Sequence, residues 1–506
     1  MARDEDGDAR TVALNPEIEG RGGLGWGTTA RWAGPLLFLL LLLPPPDGLS
    51  SEGWKVAILG ILMATWWVTE AVPLAVTALL PIPLLPLLGV MPVGAAAAPF
   101  ADPVIFLFMG GFMLATAMQR WSLHRRIAFG IIAAVGTSPR RLVGGFILAA
   151  AFLSMWVSNT AVAVMMLPIG TSVIQVVGGG PGKGNRPPGD PMFALALLLG
   201  IAYGASVGGV ATLIGTPPNA LLAGFLASEY DIHIGFVEWM TMGLPLTALT
   251  LPLVWLLLTR VAFQVDPEGA ALPADALDQM RRELGAISPA ERRVAWLFAL
   301  TALAWMTRPL MATVIPGISD AGIAMLTTIL LFLVPSNHDE GGVLLDWDTA
   351  KGIPWDILLL FGGGLSLAAG ISQSGLAGWM GEGLAVLGNL PLPVLLLGVT
   401  VLIVSLTELS SNTAATAAFL PVLAALALSL QVDPLLLTVP AALAASCAFM
   451  LPVATPPNAV VFGSRWVQIQ DMIRAGVLLN LLFIAVIPLL SMVLLRLFFG
   501  VELGSE

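Results

Sequence analysis

The sequence predicts an all-α polytopic membrane protein, with about 11 transmembrane helices and two re-entrant hairpins arranged as two inverted-topology repeats. Three observations carry this. Hydrophobic residues make up 57% of the 506-residue chain and charged residues only 11%, at a mean hydropathy of +0.90. Apolar segments recur at lengths that suit membrane-crossing helices. Three short polar or glycine motifs occur twice, in the same order. A soluble fold could not cover that much apolar surface, whereas lipid solvates the exterior of a membrane protein. The 54 glycines and 38 prolines fit membrane helices that are locally broken.

Residues 1–30 are polar, acidic and glycine-rich, and read as a disordered cytoplasmic tail rather than a signal peptide. Spans are expected near 32–45, 54–68, 71–90, 103–119, 191–227, 240–262, 293–313, 318–334, 355–373, 434–463 and 472–499. Two further apolar stretches, 140–177 and 391–431, are too long for one helix and carry Ser-Asn-Thr at mid-length, so both read as re-entrant hairpins. The first repeat then covers 31–263 and the second 293–506, joined by a charged cytoplasmic linker, 264–292. With the N-terminus in the cytoplasm, this topology puts all 22 Lys and Arg residues on the cytoplasmic side except Lys55, Arg308 and Arg496, and it leaves the C-terminus outside. Full crossings in place of the hairpins would scatter those charges to both sides.

Phe108-Met109-Gly110-Gly111 is echoed by Leu360-Phe361-Gly362-Gly363. Ser158-Asn159-Thr160-Ala161 is echoed by Ser411-Asn412-Thr413-Ala414. Thr216-Pro217-Pro218-Asn219-Ala220 is echoed by Thr455-Pro456-Pro457-Asn458-Ala459. The offsets are 252, 253 and 239 residues. An odd number of crossings separates the copies, so the second half is expected upside down relative to the first. Secondary transporters share this architecture, with the site at mid-membrane where the repeats meet.

Ser-Asn-Thr brings hydroxyl and amide groups without net charge. Ser and Asn could simply cap a half-helix, and the exposed N–H groups of such a half-helix suit an anion. Consecutive prolines cannot continue the preceding turn and free carbonyl oxygens, which suit a hard cation such as sodium. Ordinary proline kinks are the plainer alternative. No Lys or Arg lies near either tip in the sequence, so an anion at mid-membrane needs bound cations for compensation. Proton coupling would need an intramembrane acid or histidine. Glu408, three residues before Ser411, reads as a structural carboxylate behind the tip. Glu70, beside Trp66-Trp67, reads as an interfacial or packing residue further off.

The composition argues against other classes. No basic face suits nucleic acid. The single cysteine, Cys447, excludes a disulfide framework. His124, His233 and His338 are far apart, and no nucleophile with a nearby base marks an enzyme.

These paired motifs, with the Trp66-Trp67-Val68-Thr69-Glu70-Ala71-Val72-Pro73 stretch, resemble the divalent anion/sodium symporters from about residue 32 to about 500. The resemblance implies a homodimer in the inner membrane, each protomer having a scaffold domain and a transport domain that moves as an elevator. It implies two sodium sites per protomer, the first from Ser154, Ser158, Asn159 and the Gly215 backbone, the second from Thr407, Ser411, Asn412 and the Ala454 backbone. Substrate carboxylates would meet Asn159, Thr160, Asn412 and Thr413, with Thr216, Pro217, Thr455 and Pro456 lining the pocket. The implied activity is sodium-coupled symport of C4-dicarboxylates such as succinate, malate and fumarate. Sodium-independent exchange, and symport of citrate or sulfate, are the alternatives within the family.

Overall fold

The computed structural model describes residues 31–32, 35–177, 190–269, 271–273, 276, 279, 282–337 and 342–502. The expected N-terminal tail lies outside these residues, as do Lys183, Arg186, Arg281 and His338. Among the described residues the fold is helical, with one isolated antiparallel bridge between Pro335 and Val343. Eight of the described helices are long and apolar enough to cross a membrane.

The first half begins with α1 (Ser51–Thr69), capped by the Ser50 hydroxyl, which accepts from Gly53 N at 2.8 Å. The segment expected to span as 32–45 instead holds a short 3-10 helix, Leu37–Leu42, that stops ahead of Pro44-Pro45-Pro46. The single span expected at 71–90 is divided into α2 (Leu74–Ala78) and α3 (Pro81–Leu87). Pro73 and Pro81 each stand at the start of a new helix, where the missing N–H costs nothing. After α4 (Val93–Ala97), the Asp102 carboxylate caps α5 (Pro103–Arg120) through Val104 N at 2.8 Å.

An amphipathic helix, α6 (Leu123–Val135), follows in a stretch where no span was expected. The stretch 140–177 is two helices, α7 (Pro139–Ser154) and α8 (Asn159–Val177), which meet at Ser-Asn-Thr. The stretch 191–227 is likewise two, α9 (Pro191–Gly209) and α10 (Pro217–Tyr230), parted just ahead of Pro217-Pro218. The half closes with α11 (Phe236–Leu256), which runs on into a π-helical turn, Leu257–Ala262.

The rest of the chain forms a second series of helices. It opens with α12 (Pro289–Met311), held by a capping box between Ser288 and Glu291, then α13 (Asp320–Leu333) and the short α14 (Trp347–Ala350). A glycine-bearing helix, α15 (Trp355–Gln373), precedes the amphipathic α16 (Leu376–Leu384). Helices α17 (Leu392–Thr407) and α18 (Asn412–Ser429) meet at the second Ser-Asn-Thr. Helices α19 (Leu435–Ala445) and α20 (Pro456–Gly463) are parted ahead of Pro456-Pro457, and the long α21 (Ile469–Phe499) closes the half.

The helices that carry the breaks form the core. Every residue of α9 from Phe193 onward is buried, and so is every residue of α19. Such helices, apolar all round, need cover on all sides. Helix α9 approaches α7 so closely that a methyl group on Gly208 would stand 2.3 Å from Ala151 Cα. The two halves are joined directly at this level: Tyr203 of α9 donates its hydroxyl hydrogen to Phe449 O, 2.8 Å away, in the loop after α19.

The duplicated glycine motifs serve packing. A Cβ on Gly363 would lie 2.2 Å from Ala78 O of α2, and one on Gly110 would lie 2.6 Å from Ala324 Cβ of α13. Described residues at both ends of the segment 264–292 are bound to the first half: Arg126 pairs with Glu291 at 2.5 Å, Arg140 Nε donates to Val265 O at 2.7 Å, and Leu272 N donates to Thr137 O at 3.1 Å.

Candidate functional site

The four breaks converge. Both Ser-Asn-Thr tips and both Thr-Pro starts line a single cavity of about 500 Å³. All eight residues expected to meet substrate lie on its wall: Asn159, Thr160, Thr216 and Pro217 from the first half, and Asn412, Thr413, Thr455 and Pro456 from the second. Ser158, Gly215, Ser411 and Ala454 line it as well. Ser154 and Thr407 stand fully buried behind the tips, each touching its own asparagine. Among the described residues that line the cavity there is no Lys, Arg or His.

Capping explains little of the Ser-Asn-Thr pattern. Ser158 Oγ accepts from Ala161 N at 3.4 Å, a long bond, and Ser411 makes no side-chain cap bond at all. The tips are instead arranged as oxygen clusters. One terminal atom of the Asn159 amide faces Ser154 Oγ and the carbonyls of Ala205 and Gly215, each of the two carbonyls 3.2 Å away. All three neighbours are oxygens. With its nitrogen turned to them the amide donates to both carbonyls. With its oxygen turned to them, four oxygens crowd together, the kind of ligand a hard cation takes. The cradle has no room to spare, since a Cβ on Gly209 would lie 2.5 Å from the Asn159 amide oxygen and one on Gly215 2.4 Å from Gly209 O.

The second tip matches the first. Thr407 Oγ1 lies 2.5 Å from Asn412 Oδ1 and 2.8 Å from Ala445 O. A single hydroxyl hydrogen cannot serve both, so this cluster too has more oxygens than donors. Both donor sets therefore suit sodium: neutral oxygens, side-chain and backbone, in a tight cradle. The Ala205 and Ala445 carbonyls were not legible in the sequence, because a backbone ligand leaves no side-chain signal.

Glu408 has the structural surroundings expected of it. Its carboxylate accepts from Phe449 N at 2.7 Å, Met450 N at 2.9 Å, Leu451 N at 3.1 Å and Asn480 Nδ2 at 2.7 Å. It thus ties the second tip to the loop that carries Ala454. The matching place in the first half holds Met155 instead of an acid. There the Thr212 hydroxyl donates to Met155 O, and Trp239 Nε1 donates to Val210 O at 2.9 Å.

Two acidic residues extend the expected site. Glu70 lines the cavity, which corrects its reading as a residue further off, and Asp356 at the start of α15 lines it too. Glu70 leaves α1 in the left-handed conformation (φ 48°), which turns the chain toward α2. Phe108, Phe112, Ile214 and Leu360 supply apolar wall.

The two tips differ in cover. Trp156 stacks on Phe236 at 6.0 Å and meets Phe298 edge-on at 5.0 Å, and Phe236 stacks in turn on the fully buried Trp305 at 4.8 Å. The residue in the matching place of the second tip, Leu409, is 67% exposed. Beside the cavity, Ile214 is 6% exposed and its counterpart Val453 64%.

A helical chain whose paired breaks enclose a shared cavity has the form of a membrane transporter. The structure resembles that of the Alcanivorax borkumensis YdaH transporter, with a TM-score of 0.57 over 94% of this chain and 100% of that one, at 18% identity, a likeness of fold alone. Residues 32–500 match the family described as the sodium:sulfate symporter transmembrane region, and the chain belongs to that family. It is 43% identical over 474 residues to a sodium-dependent dicarboxylate transporter, SdcS, of Staphylococcus saprophyticus, covering 93% of this chain and 91% of the relative. The Staphylococcus aureus protein of the same name (strain bovine RF122 / ET3-1) is 41% identical over 481 residues, covering 93% and 92%. These relatives are transporters and not enzymes.

Proposed function

We propose that this protein is a sodium-coupled symporter of C4-dicarboxylates such as succinate, malate and fumarate. The observation that carries the reading is the cavity itself. Two oxygen cradles, with no lysine or arginine among the described residues that line the cavity, flank a space of about 500 Å³. Bound sodium would supply the positive charge that a dianion needs there, and ordering of the tips by the ions would prepare the amides and hydroxyls of Asn159, Thr160, Asn412 and Thr413 for the carboxylates. Ser154, Ser158, Asn159 and the Gly215 carbonyl would hold one ion. Thr407, Ser411, Asn412 and the Ala454 backbone would hold the other. The names of the staphylococcal relatives support both the coupling ion and the substrate class.

The repeated order of elements around the motifs supports two inverted repeats, with 140–177 and 391–431 as re-entrant hairpins. In this reading a transport domain carries the cavity past a scaffold by an elevator movement, within a homodimer in the inner membrane, the N-terminus cytoplasmic and the C-terminus outside. The deciding experiment is uptake of radiolabelled succinate into proteoliposomes, with and without an inward sodium gradient, and with excess unlabelled succinate, citrate or sulfate. Sodium-dependent uptake displaced by succinate is the expected result. Uptake that ignores sodium and needs internal dicarboxylate would make the protein an exchanger, and displacement by sulfate alone would reassign the substrate.

A further inference from the structure

We infer that Asn219 and Asn458, the last polar residues of the two Thr-Pro-Pro-Asn motifs, are positioning residues that decide which loop carbonyls remain free to meet a cation. The inference rests on the sodium-coupled reading above.

Where α9 and α19 end, the chain unwinds and its carbonyls lose their helical donors. The two prolines that start α10 and α20 bring no N–H groups to replace them. The asparagine that follows supplies the replacement. Asn219 Nδ2 donates to Thr212 O at 2.8 Å, Gly209 O at 3.2 Å and Val210 O at 3.4 Å. Asn458 Nδ2 donates to Leu451 O at 3.1 Å and Ala448 O at 3.2 Å. In both copies the bonds reach back seven and ten residues. Both side chains are 0% exposed, and neither Oδ1 accepts a hydrogen bond, so each amide acts purely as a donor to loop carbonyls.

The pattern of donation is selective. Asn219 occupies Gly209 O and Thr212 O and leaves Gly215 O, which faces the Asn159 amide. Without the amide, Gly209 O in one copy and Ala448 O in the other would lose their donor in the membrane interior, and Thr212 O and Leu451 O would keep only long bonds of 3.3 Å from Gly215 N and Ala454 N. They would turn toward whatever cation or water is nearby. The cradle would then lose its fixed set of ligands, and with it both affinity for sodium and discrimination against ions of other size.

The test uses the full-length protein in proteoliposomes, with Asn219→Ala, Asn458→Ala, Asn219→Ser and Asn458→Ser. Three quantities are read: the sodium concentration for half-maximal succinate uptake, the same with lithium, and the succinate KM at saturating sodium. Thermal unfolding in detergent reports folding. In the alanine variants the half-saturating sodium concentration is expected to rise at least fivefold and the preference for sodium over lithium to shrink, while KM stays within twofold; the serine variants, which keep one donor, fall between. Wild-type sodium dependence and ion preference in folded variants would overturn the inference and leave the symport reading standing. If both the alanine and serine variants failed to fold, the asparagines would be supporting the fold at large, and the specific role would be lost. Wild-type uptake indifferent to sodium would sink the symport reading itself, and this inference with it.

Discussion

Replacing Glu408 by alanine tests how the second tip is held. The carboxylate receives four donors, at 2.7, 2.7, 2.9 and 3.1 Å, all facing a residue that is 5% exposed. Alanine would strand three backbone N–H groups and the Asn480 amide. A buried donor left without a partner costs ~1–3 kcal/mol, so four would cost on the order of 4–12 kcal/mol if nothing relaxed. Water admitted from the neighbouring cavity and a shift of the loop would recover part of this. The net loss is expected to be at least ~3 kcal/mol, with glutamine falling between, since it keeps an accepting oxygen but turns an NH2 group toward other donors. Denaturant unfolding in mixed micelles reads the stability, and succinate uptake reads the effect on the loop that carries Ala454. A Glu408→Ala protein within ~1 kcal/mol of the wild type would refute the reasoning, because it would mean that the loop is ordered without its anchor.

Other outcomes follow from the same geometry. Asn159→Ala and Asn412→Ala should each abolish sodium-driven uptake while the purified protein stays monodisperse; normal uptake by both would remove the proposed site. Gly215→Ala would place a Cβ 2.4 Å from Gly209 O, and the half-saturating sodium concentration should rise by about tenfold or more as the cradle is forced open. The reverse change in the other half, Ala454→Gly, should leave it within about twofold, since no clash is introduced. Trp156→Ala removes an aromatic ring packed on Phe236 and Phe298 and should cost ~2–4 kcal/mol in unfolding. Leu409→Ala, at the matching but 67% exposed place, should cost under ~0.5 kcal/mol, and equal losses for the two would contradict the difference in cover.

The sequence made the cavity's side chains legible because they recur. A motif present twice in the same order identifies Asn159 with Asn412 and Thr216 with Thr455 before any coordinate is known. What recurs only as backbone was invisible: nothing in Ala205 or Ala445 distinguishes their carbonyls from those of dozens of other alanines. Glu408 was recognisable as a buried acid near a tip, yet its partners lie 41–43 and 72 residues further on, and three are main-chain N–H groups. Glu70 was misplaced because its distance along the chain from the motifs was taken for distance in space, and the left-handed turn after α1 brings it back. The division of 71–90 at Pro73 and Pro81 could have been read from the prolines alone. Helix α6 escaped because a search for apolar runs passes over an amphipathic helix that carries Arg125 and Arg126.

A cavity with no lysine, arginine or histidine among its described lining residues, but with Glu70 and Asp356, has a thermodynamic consequence. A dicarboxylate arriving alone would meet only like charge and neutral dipoles, so nearly all of its affinity would have to come from ions already bound. Linkage makes that debt mutual: by whatever factor sodium raises the affinity for substrate, substrate raises the affinity for sodium. A fixed arginine would have held the anion regardless of sodium and let the carrier cross half-loaded. In the sodium-coupled reading, leaving that charge to a mobile ion would tie the release of each passenger to the departure of the other, so that a fall in sodium on the receiving side would itself favour emptying the site.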